Sequence, residues 1–89
     1  VLRRAVRNHA RLRIGYVDAA GALTDRVVWP LALLFLPQAT LLGAWCELRQ
    51  AYRFFRTDRI GDVTVTGERF DTRNGALVAE LMREHEVPA

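Results

Sequence analysis

From Arg11 to Thr66 the chain is a close succession of strand-length segments, each cut off by turn residues, and this spacing limits the fold more than any other feature. Over Arg11–Val17, Leu12, Ile14 and Tyr16 alternate with Arg11 and Arg13, the period-2 pattern of a half-buried strand. Asp18-Ala19-Ala20-Gly21 reads as a turn and Leu23–Trp29 as the returning strand. Pro30 limits ladder pairing and marks a strand end or an edge. Leu31–Leu36 is a further apolar strand closed by Pro37-Gln38, and Thr40–Leu48 follows, with Gly43 allowing a bend or bulge. Arg49–Tyr52 connects to a strand over Arg53–Ile60, and Asp62–Thr66 reads as a short edge strand or arm.

Helical spacing flanks this region. Leu2, Ala5 and Val6 share a face over Val1–Asn8, too short a stretch to be stable alone. Near the end, Asn74 is placed to cap a helix over Gly75–His85 with the apolar stripe Leu77, Val78, Leu81 and Met82. The expectation is a mainly β chain, α+β by content. It is a small SH3-like or Sm-like bent sheet or barrel of five strands with an N-terminal helical segment and a C-terminal helix. Residues 1–9 form the lead-in, 10–70 the β core and 71–89 the final helical part of one domain.

Eighty-nine residues, half of them apolar, allow one small core and argue against disorder. The longest weakly polar run, Val27–Leu36, is too short to span a bilayer, and no signal peptide opens the chain. A single cysteine, Cys46, excludes an internal disulfide. These features fit a cytoplasmic location without membrane association. The start at Val1 reads as a domain taken from a longer protein. His9 and His85 lack a second ligand at metal-binding spacing, the glycines form no phosphate loop, and the carboxylates occur singly. No cofactor, metal or catalytic constellation is expected, and hence no enzyme.

All thirteen positive residues are arginine, and four of them fall between Arg49 and Arg59 in the stretch L-R-Q-A-Y-R-F-F-R-T-D-R-I. Guanidinium groups present planar forks that match phosphate, and interleaved aromatics offer faces on which bases stack. Strand alternation puts Arg53, Phe55, Thr57 and Arg59 on one side and Phe54, Arg56, Asp58 and Ile60 on the other. A convergent pocket therefore needs further walls, with Tyr16, Arg26 and Arg49 as candidates. The competing reading is a solvated charged face paired with Asp58 and Asp62. Asp58 reads as structural, orienting Arg56 or Arg59. Trp29 and Trp45 read as core rather than platform, and Cys46 as inert packing.

Taken in order, R-L-R-I-G-Y (Arg11–Tyr16), D-R-V-V-W-P (Asp25–Pro30), T-L-L-G-A-W-C-E-L-R (Thr40–Arg49), F-R-T-D-R-I (Phe55–Ile60) and T-G-E-R-F (Thr66–Phe70) resemble the WYL domain of bacterial transcriptional regulators. The resemblance covers most of the chain, from about His9 to Phe70. The tripeptide that names the family falls at Thr40-Leu41-Leu42, where only the leucine is kept. The resemblance implies an Sm-like sensing module attached to a separate helix-turn-helix domain that binds DNA. Its effector would be a nucleotide or single-stranded nucleic acid, held by a basic pocket. The residues assigned to that pocket are Tyr16, Arg26, Arg49, Arg53, Arg56 and Arg59, with Asp58 and Pro30 in support. The alternative is a dimerisation or protein-interaction module without a small ligand, in which the chain forms a homodimer.

Overall fold

The computed structural model describes residues 1–84. Strands β1 (Ala10–Val17) and β2 (Leu23–Phe35) form an antiparallel hairpin with Tyr16 opposite Thr24, Ile14 opposite Arg26 and Leu12 opposite Val28. The side chain of Asp18 closes its turn: Oδ1 accepts the N–H groups of Ala20 at 3.0 Å and Ala22 at 2.9 Å. β3 (Thr40–Cys46), β4 (Ala51–Arg56) and β5 (Ile60–Arg69) complete one antiparallel sheet in the order β4-β3-β2-β1-β5. The five strands, the N-terminal helix α1 (Leu2–Asn8) and the C-terminal helix α2 (Ala76–Glu84) match the expected architecture, with the sheet open rather than closed into a barrel.

Period-2 alternation gives the sheet two different faces. Leu12, Ile14, Tyr16, Val28, Leu42, Ala44, Cys46 and Phe55 form the inner core, covered by Leu2, Ala5 and Val6 of α1. Burying a side chain such as Phe55 or Leu12 stabilises by about 1.5–3 kcal/mol. On the outer face Trp29, Leu31, Trp45, Tyr52 and Phe54 pack with Phe70 beneath Leu77, Val78 and Leu81 of α2. Among the described residues no helix is long and apolar enough to cross a membrane.

Four local expectations need correction. β2 runs unbroken through Pro30, so of the strand end or edge expected there only a local edge is found. No β1 residue pairs with β2 beyond Val28, so the proline falls where one side of the strand has no ladder to break. The bulge lies in β2, between Pro30 and Ala32, and not at Gly43 in the strand opposite. Gly43 instead lets α2 approach, because a Cβ there would lie 2.7 Å from Leu81 Cδ2 and 2.9 Å from the Phe54 ring. The strand expected over Arg53–Ile60 is interrupted by a 3-10 turn at Thr57–Arg59, which separates β4 from β5. Finally, the Gly75 carbonyl accepts the Ala79 N–H at 3.1 Å, so Gly75 rather than Asn74 opens α2. His85 lies outside the described residues.

Candidate functional site: an arginine cleft at one end of the inner face

The inner side of β2 reads Thr24, Arg26, Val28, Pro30, so alternation carries one arginine into an otherwise apolar layer. Arg26 is only 3% exposed. Its Nε donates to Thr24 Oγ1 at 3.0 Å, and that hydroxyl donates to the Tyr16 carbonyl. The guanidinium carbon lies 5.6 Å from the Tyr16 ring centroid and 5.5 Å from that of Phe55, while Nη1 reaches Cys46 Sγ at 3.9 Å. Tyr16 and Phe55 meet edge to face at 4.9 Å, which fixes this aromatic cradle. Among the described residues no carboxylate forms an ion pair with Arg26. A guanidinium removed from water without a counter-ion is costly, and aromatic faces offset only part of that cost.

Arg26 opens onto a cleft of about 380 Å3. Of the six residues assigned from sequence, Tyr16, Arg26, Arg49, Arg53 and Arg59 line it together. Arg49 comes from the turn after β3, Arg53 from β4 and Arg59 from the 3-10 turn. Arg56 is not among the lining residues. Asp58 grips it instead, accepting from Nε at 3.1 Å and from Nη2 at 2.8 Å. Their mutual hydrogen bond raises the Arg56 pKa and lowers that of Asp58. The backbone N–H of Arg56 also donates to the Tyr16 hydroxyl at 3.2 Å, pinning the end of β4 to β1. Pro30, the other supporting residue, sits in the buried part of β2, away from the cleft.

The cleft holds four arginines against one acid, Asp18, whose Oδ1 is already occupied by backbone N–H groups. Arg49, Arg53 and Arg59 are exposed and form no ion pair among the described residues. One buried and three exposed guanidiniums around one cavity can hold an anion such as a phosphate or carboxylate group. Sequence reasoning did not place the Asp18–Ala20 turn in this wall, nor Thr24 as the anchor of Arg26. The Thr24–Arg26 spacing, two residues apart on one strand face, was the available signal for the anchor. Neither Thr40 nor Leu41 lines the cleft, and Leu42 of the same tripeptide is fully buried in the core.

A family model for the WYL domain matches residues 1–65. Protein PafC of two Mycobacterium tuberculosis strains is 40% identical over 68 residues, covering 75% of this chain and 22% of the relative. The chain therefore spans about a fifth of the length of these curated relatives. Among solved structures, proteasome accessory factor B/C (PafBC) of Arthrobacter aurescens superposes with a TM-score of 0.74 at 28% identity, over 84% of this chain and 12% of that one. With the match to the family model covering most of its length, this chain belongs to the WYL-domain family.

Proposed function

We propose that this WYL domain is the ligand-sensing, regulatory part of a bacterial transcriptional regulator. The effector is a nucleotide-like molecule or a single-stranded nucleic acid, bound in the arginine cleft. DNA is contacted by a separate helix-turn-helix domain of the parent chain. The observation that carries this reading is Arg26, a buried guanidinium without a carboxylate partner among the described residues, facing a cleft that gathers Arg49, Arg53 and Arg59. An evolved fold has reason to keep such a group where an incoming anion completes its pairing. The buried Tyr16 and Phe55 rings hold the Arg26 guanidinium in a fixed place, which supports recognition of a defined anionic group at the cleft.

Titration with a labelled oligonucleotide and with mononucleotides at low salt tests this. Binding is expected to weaken as salt rises, by roughly 0.7 log units per log unit of salt for each phosphate contacted on a single strand. Failure of every nucleotide and oligonucleotide to bind at low salt removes the proposal. A self-association module is the second reading, favoured by β5, an edge strand with Val65 55% exposed. It predicts a dimer in light scattering that survives charge reversal in the cleft.

A further inference from the structure

The outer face carries a second concavity, of about 450 Å3, built from different chemistry. Trp29, Trp45 and Tyr52 of the sheet form its aromatic wall, and Leu77 of α2 adds an aliphatic side. Two carboxylates face it from separate elements, Glu47 at the end of β3 and Glu80 on α2, with Arg73 the only cation among its lining residues. Trp45 and Tyr52 meet edge to face at 5.0 Å, and Trp29 is stacked on Phe70 at 5.5 Å, so the wall is braced from behind.

We propose that this concavity is a binding site for an organic cation, a guanidinium or alkylammonium group, seated on the tryptophans and held by Glu47 and Glu80. The faces of indole and phenol rings attract cations through their quadrupoles, tryptophan most strongly. Both carboxylates are already aimed. Trp29 Nε1 donates to Glu47 Oε2 at 2.6 Å, and the Tyr52 hydroxyl donates to Glu80 Oε2. Among the described residues, Oε1 of each carboxylate accepts no hydrogen bond, which leaves one oriented acceptor on either side for a cation's N–H groups.

The chain itself shows the same recognition on the flank of this wall. The Arg11 guanidinium carbon sits 5.1 Å from the Trp29 ring centroid while Nη1 lies 3.9 Å from Glu47 Oε2. A ligand cation would repeat that arrangement one ring further in, over Trp45. With Arg11 paired to Glu47 and Arg73 on the lining, two acids face two arginines, so the site lacks the excess positive charge of the opposite cleft. The same cation chemistry occurs in free small molecules and in arginine or lysine side chains of a polypeptide, so probes of both kinds are needed.

The two tryptophans of the sequence both line the concavity, and intrinsic fluorescence therefore reports on it directly. The 89-residue chain is titrated with agmatine and with a blocked Gly-Arg-Gly peptide, against sodium chloride at matched ionic strength. The expected result is a saturable emission change with at least one probe. Agmatine alone would identify a small-molecule site, and the peptide alone a polypeptide partner. Glu47→Gln and Glu80→Gln keep an acceptor for Trp29 and Tyr52, and each should weaken binding roughly tenfold. The exposed Arg73→Gln should tighten it and serves as the second readout if either glutamine variant melts early. Absence of a saturable change with both probes overturns the proposal. So does affinity that is unmoved in all three variants.

Discussion

At one end of the inner face Arg26 is buried beside Tyr16 and Phe55 with no carboxylate among the described residues paired to it, whereas on the outer face Glu47 and Glu80 are each tied to an aromatic donor. Both places combine rings with charge, but they differ in what remains unsatisfied. The inner cleft holds its cost in one buried cation, so the proposed anion, if bound there, would stabilise the fold. The outer concavity has its principal polar groups hydrogen-bonded within the chain and contributes to the fold without a ligand. Binding and stability should therefore respond to mutation with opposite signs in the two regions.

The strongest test of that contrast is Arg26→Met. Loss of the buried guanidinium should lower affinity for an oligonucleotide or nucleotide by roughly 10–100-fold. Unfolding free energy, in contrast, should stay level or rise by about 1–4 kcal/mol, as found when buried charges yield to apolar residues of similar size. Urea denaturation and fluorescence anisotropy on the same samples measure both. A variant that loses several kcal/mol while binding normally would make Arg26 a structural residue and erase the distinction between the faces.

On the outer face the corresponding test is pH. Burial, followed by the hydrogen bond from Tyr52 to Glu80 and the charge on that carboxylate, pushes the Tyr52 pKa up from 10.0 to about 12. The folded state thus holds this proton more tightly than the unfolded chain does. The resulting stability is fully present below pH 10 and is lost as pH rises from 10 through about 12. Tyr52→Phe should flatten that part of the stability curve and cost about 0.5–1.5 kcal/mol at neutral pH through the lost hydrogen bond. An alkaline loss of equal size in the variant would place its origin elsewhere.

These contrasts also show which parts of the molecule were legible in sequence. Leu12, Ile14 and Tyr16 announced β1 because a half-buried antiparallel strand shows its period directly, and the same alternation led to Arg26 as a cleft wall. Pro30 misled only in suggesting a strand end, because β2 continues while its pairing with β1 stops at Val28. Alternation put Arg56 and Arg59 on opposite sides of a continuous strand, yet both were assigned to the pocket, with Asp58 orienting one of them. The 3-10 turn that breaks the strand does not follow from period-2 reasoning, and Asp58 takes Arg56. The outer concavity was not legible at all. Glu47 and Glu80 are distant in sequence and meet only because α2 packs across β3 and β4, so Trp29 and Trp45 read simply as core.

That packing depends on Gly43. Gly43→Ala would force Leu81, which is fully buried, and the Phe54 ring to move, at a cost of about 1–3 kcal/mol. The displacement of α2 should alter the tryptophan emission strongly, whereas nucleotide affinity in the inner cleft should change only as far as Phe54, which also lines it, moves. Equal losses at both sites would show that the two regions are mechanically one.

The smallest expected effect lies within the cleft, between two arginines three residues apart. Arg59 lines the cavity without an ion pair, so Arg59→Gln should weaken oligonucleotide binding roughly three- to tenfold and reduce the salt slope by about one phosphate. The guanidinium of Arg56 is committed to Asp58 outside the cavity, so Arg56→Gln should stay within about twofold of the parent, and exposed pairs of this kind contribute little to stability. Anisotropy titrations of both variants at two salt concentrations decide the matter. If Arg56→Gln carries the larger loss, Asp58 releases its arginine on binding, and the free chain shows a cleft that is still one guanidinium short.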